Sequence, residues 1–325
     1  MQAILDICCG LDVHKDSVVA CVIKTNNNEP LVQQDSDEKE IRIFKPFLNE
    51  LNVLKAWLES QGCHHVAMES TGVYWFPVYE VLETAFNGNI EILVTNARHM
   101  KNVPGKKTDI KDSEWIATLL RAGLLRGSFI PPKAVRELRQ LSRYRKNIVE
   151  DINTQKNRIE KTLQQAGFKL STFLTDIFGT SGRNLISVIL ANGKLTPNDV
   201  DKSVKRISDS KKEDIKLSIN GCLTSHQKQF LKLQIEHLDD LKCHLQNIEA
   251  DIEKITGQFN DEINLLITIP GIAQTAAIAI ISEIGTDMSK FPTSEHFCSW
   301  AGLCPGDNES AGKKKVQESL LETPM

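Results

Sequence analysis

Lys107-Thr108-Asp109-Ile110-Lys111-Asp112-Ser113-Glu114-Trp115-Ile116-Ala117-Thr118-Leu119-Leu120 is the stretch around which the chain is organised. Ile110, Trp115, Ala117, Leu119 and Leu120 put apolar side chains at helical spacing, so the run reads as a helix. Asp109 and Asp112 are three apart, which on a helix puts both carboxylates on one face, about 5–6 Å between Cβ atoms. Two like charges so close repel, and a fold tolerates them most readily with a cation between them. A hard divalent ion bound by oxygen is the natural candidate. The plainer reading is an acidic first turn, which the helix dipole favours unaided.

Upstream of this helix the chain alternates strands and helices. Ile7–Val13 and Ser17–Ile23 are β-rich runs separated by His14-Lys15-Asp16, and Asn26–Pro30 is a turn or loop. Ile41–Phe44 alternates as a third strand, Phe47–Leu58 has helical spacing, and His65–Glu69 is a fourth strand. Tyr74–Phe86 reads as a helix, Ile90–Val94 as a fifth strand, and Pro104-Gly105-Lys106-Lys107 as a loop. Three strands followed by α/β alternation predict a mixed-sheet α/β domain over residues 1–130. Asp12 then lies in the first strand, Glu69 ends the fourth, and Asp109 and Asp112 lie on the helix after the fifth. Strand ends beside a helix are where open sheets place their sites. Four carboxylates can bind two Mg²⁺ ions about 3.5–4 Å apart for phosphoryl transfer; four unrelated surface acids are the plainer alternative.

The net charge of −3 is unevenly spread. Residues 1–97 hold 6 Lys/Arg against 14 Asp/Glu, residues 98–161 hold 16 against 7, and the remainder holds 17 against 21. A basic middle beside an acidic start suits a polyanion-binding surface next to a metal site, although a long helix with a solvated basic face reads the same way. Lys106, Lys107, Arg139, Arg143, Arg145 and Lys146 are its candidate nucleic-acid contacts. The 8 cysteines make no C-x-x-C pair and no zinc-ligand spacing, and read as reduced thiols of a cytosolic protein. Met1–Asp6 lacks a basic n-region and a long apolar core, so no signal peptide is expected. Leu265–Ile284 is apolar enough to raise a membrane question. Pro270-Gly271, Gln274, Thr275, Ser282 and Glu283 interrupt it, so it reads as buried helix and not as a span.

From Ile130-Pro131-Pro132 the composition turns helical. Leu138, Leu141, Ile148, Ile152 and Ile159 form one seam, with Arg145 and Gln155 as polar interruptions; Leu238, Leu241, Leu245, Ile248, Ile252, Ile255 and Phe259 form a cleaner one. Narrow seams of this kind predict an all-α coiled-coil region over 131–260, closed on itself as an antiparallel hairpin or on a second protomer. Between them, shorter helices are expected to meet at loops Gly179–Gly182 and Asn192–Lys194. A small helical domain over 261–325 opens with Ile269-Pro270-Gly271-Ile272, a helix–hairpin–helix-like pattern whose turn at Gly271 offers backbone N–H groups to a phosphate. A tight helical hairpin uses the same residues for packing alone. Ser310 stands in a small-residue loop beside Lys313, Lys314 and Lys315. It is a candidate nucleophile toward phosphorus if a metal or base helps remove its proton, and Lys313 and Lys314 are further phosphate contacts.

Gly10-Leu11-Asp12-Val13-His14-Lys15, Met68–Trp75 and Lys107-Thr108-Asp109 with Asp112 resemble the DEDD transposases of bacterial insertion sequences. Ile269–Ile272, Ala301–Pro305 and Ser310-Ala311-Gly312 look like the carboxy-terminal transposase domain of the same family, that of insertion sequence one-ten, whose recombinases are guided by a bridge RNA. The resemblance runs from about residue 8 to 315. It implies a RuvC-like, RNase H-like amino-terminal domain with Asp12, Glu69, Asp109 and Asp112 as ligands of Mg²⁺ (or Mn²⁺). Ser310 would be the nucleophile that holds a cut strand as a phosphoserine ester. It further implies donor and target DNA and a structured non-coding RNA as partners, and homodimers or homotetramers with composite sites. The setting would be cytoplasmic and nucleoid-associated, without a membrane. Two other readings are a RuvC-like nuclease or junction resolvase that uses water, and a catalytically disabled nucleic-acid-binding remnant. The resemblance lapses after Lys315, where Val316–Met325 replaces a longer basic stretch, so a truncated or frameshifted terminus is expected. Ser113 stands where the family has alanine.

Overall fold

The computed structural model describes residues 4–24, 38–70, 72–96, 109–204, 209–217, 219–303, 309–310 and 313–314, with the backbone alone at 109–111, 209, 211, 309–310 and 313–314. It divides into two units, Met1–Ile130 and Pro131–Met325.

In the first unit the runs rich in Val, Ile and Cys pair into a sheet of order β3-β2-β1-β4-β5, built from β1 (Ile7–Val13), β2 (Val18–Lys24), β3 (Glu38–Phe44), β4 (His65–Glu69) and β5 (Glu91–Thr95). β1, β2 and β3 form an antiparallel meander. β4 and β5 join parallel to β1, reached through α1 (Leu48–Ser60) and α2 (Trp75–Leu82). Three antiparallel strands followed by two parallel crossovers are the mixed sheet expected of an RNase H-like domain. Side chains alternate across each strand. Cys9, Leu11 and Val13 face one way, with Val66, Met68 and Val94, and bury against Leu51, Leu54, Trp57 and Leu58 of α1 and Val78 and Leu82 of α2. Cys8, Cys21 and Ile23 face the other way, onto Ala117 and Leu120 of α3 (Asp109–Arg121).

Two boundaries differ from expectation by three residues or more. β3 begins at Glu38 and not at Ile41, because Glu38-Lys39-Glu40 pair with Val22–Lys24 along the sheet edge, where charged residues are well tolerated. The second helix ends at Leu82 and not at Phe86. Phe86 and Asn87 adopt left-handed φ values of 49° and 56° ahead of Gly88, held by the Phe86 N–H donating to the Glu59 carboxylate at 3.0 Å and by the Phe86 ring stacked on His64.

The packing of α3 depends on Gly10. A Cβ there would stand inside van der Waals contact of the Ser113 carbonyl oxygen and the Ala117 nitrogen, with Ala117 Cα at 3.0 Å. A glycine within a strand marks such a close backbone approach.

The second unit is built on α4 (Lys133–Gln165) and α8 (Ser225–Thr256), whose apolar seams bury against each other. The pair is antiparallel: Arg145 of α4 pairs with Glu249, whereas Gln155 and Thr162, further along, bond to Gln234. The seams therefore close on one another within the chain. α5 (Thr180–Asn192), α6 (Pro197–Ser203) and α7 (Asp209–Leu217) pack beside them. The stretch Gly179–Gly182, expected as a loop, opens α5 instead, with Gly182 pressed against the Ile177 backbone. Gly193 closes that helix in the left-handed conformation.

α9 (Asn260–Ile267) and α10 (Gln274–Ile284) follow, with α11 (Ser294–Trp300) and a two-strand hairpin, β6 (Glu309–Ser310) and β7 (Lys313–Lys314). Ile263, Ala277 and Ile281 join the core of the long pair. Leu265–Ile284 is thus two helices interrupted near Pro270, which has no N–H to continue the first, and Leu265 and Ile269 are exposed where a buried helix was expected. Among the described residues no helix is long and apolar enough to cross a membrane.

α10 is fastened to α4 at its carboxyl end. Arg139 donates to the Ser282 and Glu283 carbonyls at 3.0 and 2.7 Å, capping α10 with a cation where the dipole favours one. Burial pulls the pKa of Arg139 down, with the Glu283 carboxylate opposing it. Arg143 grips the same carboxylate with two nitrogens at 2.8 and 2.9 Å.

Two outcomes are expected in denaturant unfolding. Gly10→Ala should lose about 1–3 kcal/mol through overpacking between β1 and α3. Arg139→Ala should lose about 1.5–3 kcal/mol, the range for hydrogen bonds to charged groups, whereas the more exposed Arg143→Ala should lose no more than about 1 kcal/mol.

Candidate active site

Asp12 is the next-to-last residue of β1 and, two positions from Gly10, shares with it the α3 face of the sheet. The β1–β4 ladder pairs Leu11 with Met68, so one step further Asp12 lies beside Glu69. Glu69 in turn pairs with Thr95 of β5. In a parallel ladder, paired residues point to the same face. Asp12, Glu69 and Thr95 therefore form a row at the carboxyl ends of three parallel strands spaced about 4.8 Å apart, the end at which open sheets bind ligands.

α3 runs antiparallel to β1. The Ile4 N–H donates to the Arg121 carbonyl at 2.9 Å, the Cys8 thiol to the Ala117 carbonyl at 3.4 Å, and Gly10 lies under Ser113 and Ala117. Its first turn, with Asp109 and Asp112, accordingly reaches the level of Asp12. Asp12, Glu69, Asp112 and the Asp109 backbone thus lie toward one end of the sheet. Ser113 is fully buried, and it is its carbonyl that meets Gly10.

Asp12 is only 6% exposed, and His14 Nε2 lies 3.0 Å from its Oδ2. Glu69 and Asp112 are half-buried. Thr95 is fully buried, and among the described residues its Oγ1 has no hydrogen-bond partner. Among the described residues no three His, Cys, Asp or Glu side chains are gathered tightly enough to hold a metal ion; the Asp109 side chain lies outside the described residues. The donor chemistry nevertheless fits a hard divalent cation. The row offers carboxylate and hydroxyl oxygens and no sulfur, and one buried hydroxyl in it is left without a bond. The buried thiols of this unit are unsuited to nucleophilic work: burial raises Cys9 well above the ordinary thiol range, Cys21 to about 11 and Cys63 to about 12. The described cysteines are free.

His14 and Thr95 escaped the sequence reading as side chains with a place in the site. His14 stood in a motif that also contained Asp12, and the spacing of two with a turn between strands was the available cue. Thr95 had none, since threonine is an ordinary strand residue.

The other candidate residues are distributed differently. Arg139 and Arg143 are engaged at the end of α10, and Arg145 pairs with Glu249 at 2.7 Å. Lys146 is exposed, 4.0 Å from Glu150 one turn along. Gly271 is exposed in the turn between α9 and α10, at a φ of +92° and with open space around it. Ser310 pairs with Lys313 in the terminal hairpin, as Glu309 does with Lys314. The side chains of Ser310, Lys313 and Lys314, and the whole of Lys106 and Lys107, lie outside the described residues.

Residues 9–168 match a transposase domain of the IS110 DEDD type, and residues 263–321 match a domain of the transposase IS116/IS110/IS902 family. The chain is 26% identical over 162 residues to the transposase for insertion sequence element IS1533 of Leptospira borgpetersenii, covering 50% of this chain and 44% of that protein. It is 30% identical over 98 residues to the pilin gene-inverting protein of Moraxella bovis, covering 30% of each. The aligned region therefore spans less than half the length of these curated relatives. Thermus thermophilus RuvC is a structural neighbour at a TM-score of 0.28 and 10% identity, covering 38% of this chain and 99% of that one. Along its length the chain thus matches, in order, two domains of the IS110-family transposases.

Proposed function

We propose that the protein is a DNA transposase or site-specific recombinase that cuts and rejoins strands through a serine ester. The observation that carries the reading is the buried Asp12 beside Glu69, at the carboxyl ends of parallel strands and under the first turn of α3. Isolated surface acids have no reason to be assembled from three elements, and like charges drawn to one end of a sheet favour a divalent cation among them.

Asp12, Glu69, Asp109 and Asp112 would hold Mg²⁺ or Mn²⁺, which when bound supplies positive charge to phosphate oxygens. His14 fixes the orientation of the Asp12 carboxylate. Ser310 is the nucleophile: its Oγ forms a bond to phosphorus as the bond from phosphorus to the departing deoxyribose oxygen breaks. The serine proton leaves, and the departing oxygen acquires one. Attack by the hydroxyl of a second strand reverses the exchange, restores the serine, and conserves the phosphodiester without ATP. Lys106, Lys107, Lys146, Lys313, Lys314 and the N–H groups around Gly271 contact phosphates. Arg139, Arg143 and Arg145 act on DNA through the helices that they brace. A structured bridge RNA selects donor and target DNA, and the pair of long helices joins protomers through its outer faces into dimers or tetramers with composite sites, in the bacterial cytoplasm at the nucleoid.

Incubation of the protein with its flanking RNA, donor and target DNA and Mg²⁺, followed by a denaturing gel, tests this. A protein–DNA adduct is expected for the wild type and should disappear in both Ser310→Ala and Asp12→Ala, with DNA binding retained. Free cut ends without an adduct, or an adduct that survives Ser310→Ala, would overturn the serine mechanism. Salt-sensitive binding with no Mg²⁺-dependent cleavage would mark a binding protein instead.

A further inference from the structure

Thr95 ends β5 and its side chain is wholly removed from water, yet its Oγ1 meets no acceptor or donor among the described residues. A buried hydroxyl left in this state is costly, and buried polar groups are nearly always satisfied. The backbone does not require it. The Thr95 carbonyl accepts from the Ser70 N–H at 2.9 Å and the residue pairs with Glu69 in the ladder, and valine would serve both bonds with the same shape and equal β preference. Nor does packing, since valine would fill the same volume without a stranded hydroxyl. The side chain lies in register with Glu69 and on its face of the sheet, one strand further from Asp12.

We infer that Thr95 is a positioning residue of the site, whose hydroxyl donates to the oxygen shell of the divalent cation at Glu69. This rests on the proposal that the carboxylate row holds such a cation. The hydrogen bond missing from the free protein is then completed on loading, as outer-shell donors orient the oxygens around a metal. The hydroxyl is retained for the loaded state at a cost to the free one.

Thr95→Val, which deletes the hydroxyl at constant shape, and Thr95→Ser, which keeps it, separate this role from a structural one. The full-length protein is titrated with Mn²⁺ by electron paramagnetic resonance, and its melting temperature is measured in EDTA. Thr95→Val should melt at or above the wild-type temperature in EDTA and bind Mn²⁺ about 10-fold more weakly, with Thr95→Ser near wild type. A lower melting temperature for Thr95→Val in EDTA would make the hydroxyl a structural group and overturn the inference. Binding abolished by Asp12→Asn but untouched by Thr95→Val would overturn this inference alone. Wild-type Mn²⁺ binding that Asp12→Asn leaves unchanged would overturn the carboxylate site and this inference with it.

Discussion

The contact between Gly10 and the backbone of α3 is the constraint on which the rest of the first unit depends. With any side chain at position 10 the helix would ride higher on the sheet, and its first turn would sit away from the strand ends. Without one, Ser113 and Ala117 come down onto the strand backbone. Asp109 and Asp112 are thereby carried to the level of Asp12, and Asp12 is closed off from water. Glycine costs conformational entropy within a strand, a penalty offset by the packing of Ala117 against Cys8, Cys21 and Ile23.

The second unit obeys a different rule. Two helices of 33 and 32 residues must hold one register along their length, and apolar seams alone permit sliding by a turn. Polar bonds resist this. Gln155, buried in the seam, donates to the Gln234 carbonyl, and Thr162 donates to the Gln234 side chain. Arg145, the other polar interruption, reaches out of the seam to Glu249. A single satisfied polar position is enough to specify alignment in such a pair.

The basic middle of the chain illustrates how charge counts can mislead. Its excess of cations is real, but the Arg139 and Arg143 guanidinium groups hold α10 against α4, and Arg145 braces α4 against α8. Arginine suits these tasks because its planar fork satisfies two acceptors at once. The charge still contributes to the field around the unit, although the groups that carry it are fixed within the fold.

The sequence by itself determined the strands, the helices and the mixed sheet of the first unit, because period-2 and period-3.6 patterns are local and survive without knowledge of neighbours. It also singled out Asp12, Glu69, Asp109 and Asp112, since acids at strand ends and on one helix face are visible in spacing alone. Gly10 was legible in principle, as a glycine inside a strand. Other features were decided only by tertiary structure: the side-by-side register of Asp12, Glu69 and Thr95, the approach of His14 to Asp12, the early end of α2, and the capping of α10 by Arg139 across 144 residues of chain. Each depends on which strand or helix lies next to which, and pairing between distant segments is set by the shape of the assembled core, which no local pattern encodes.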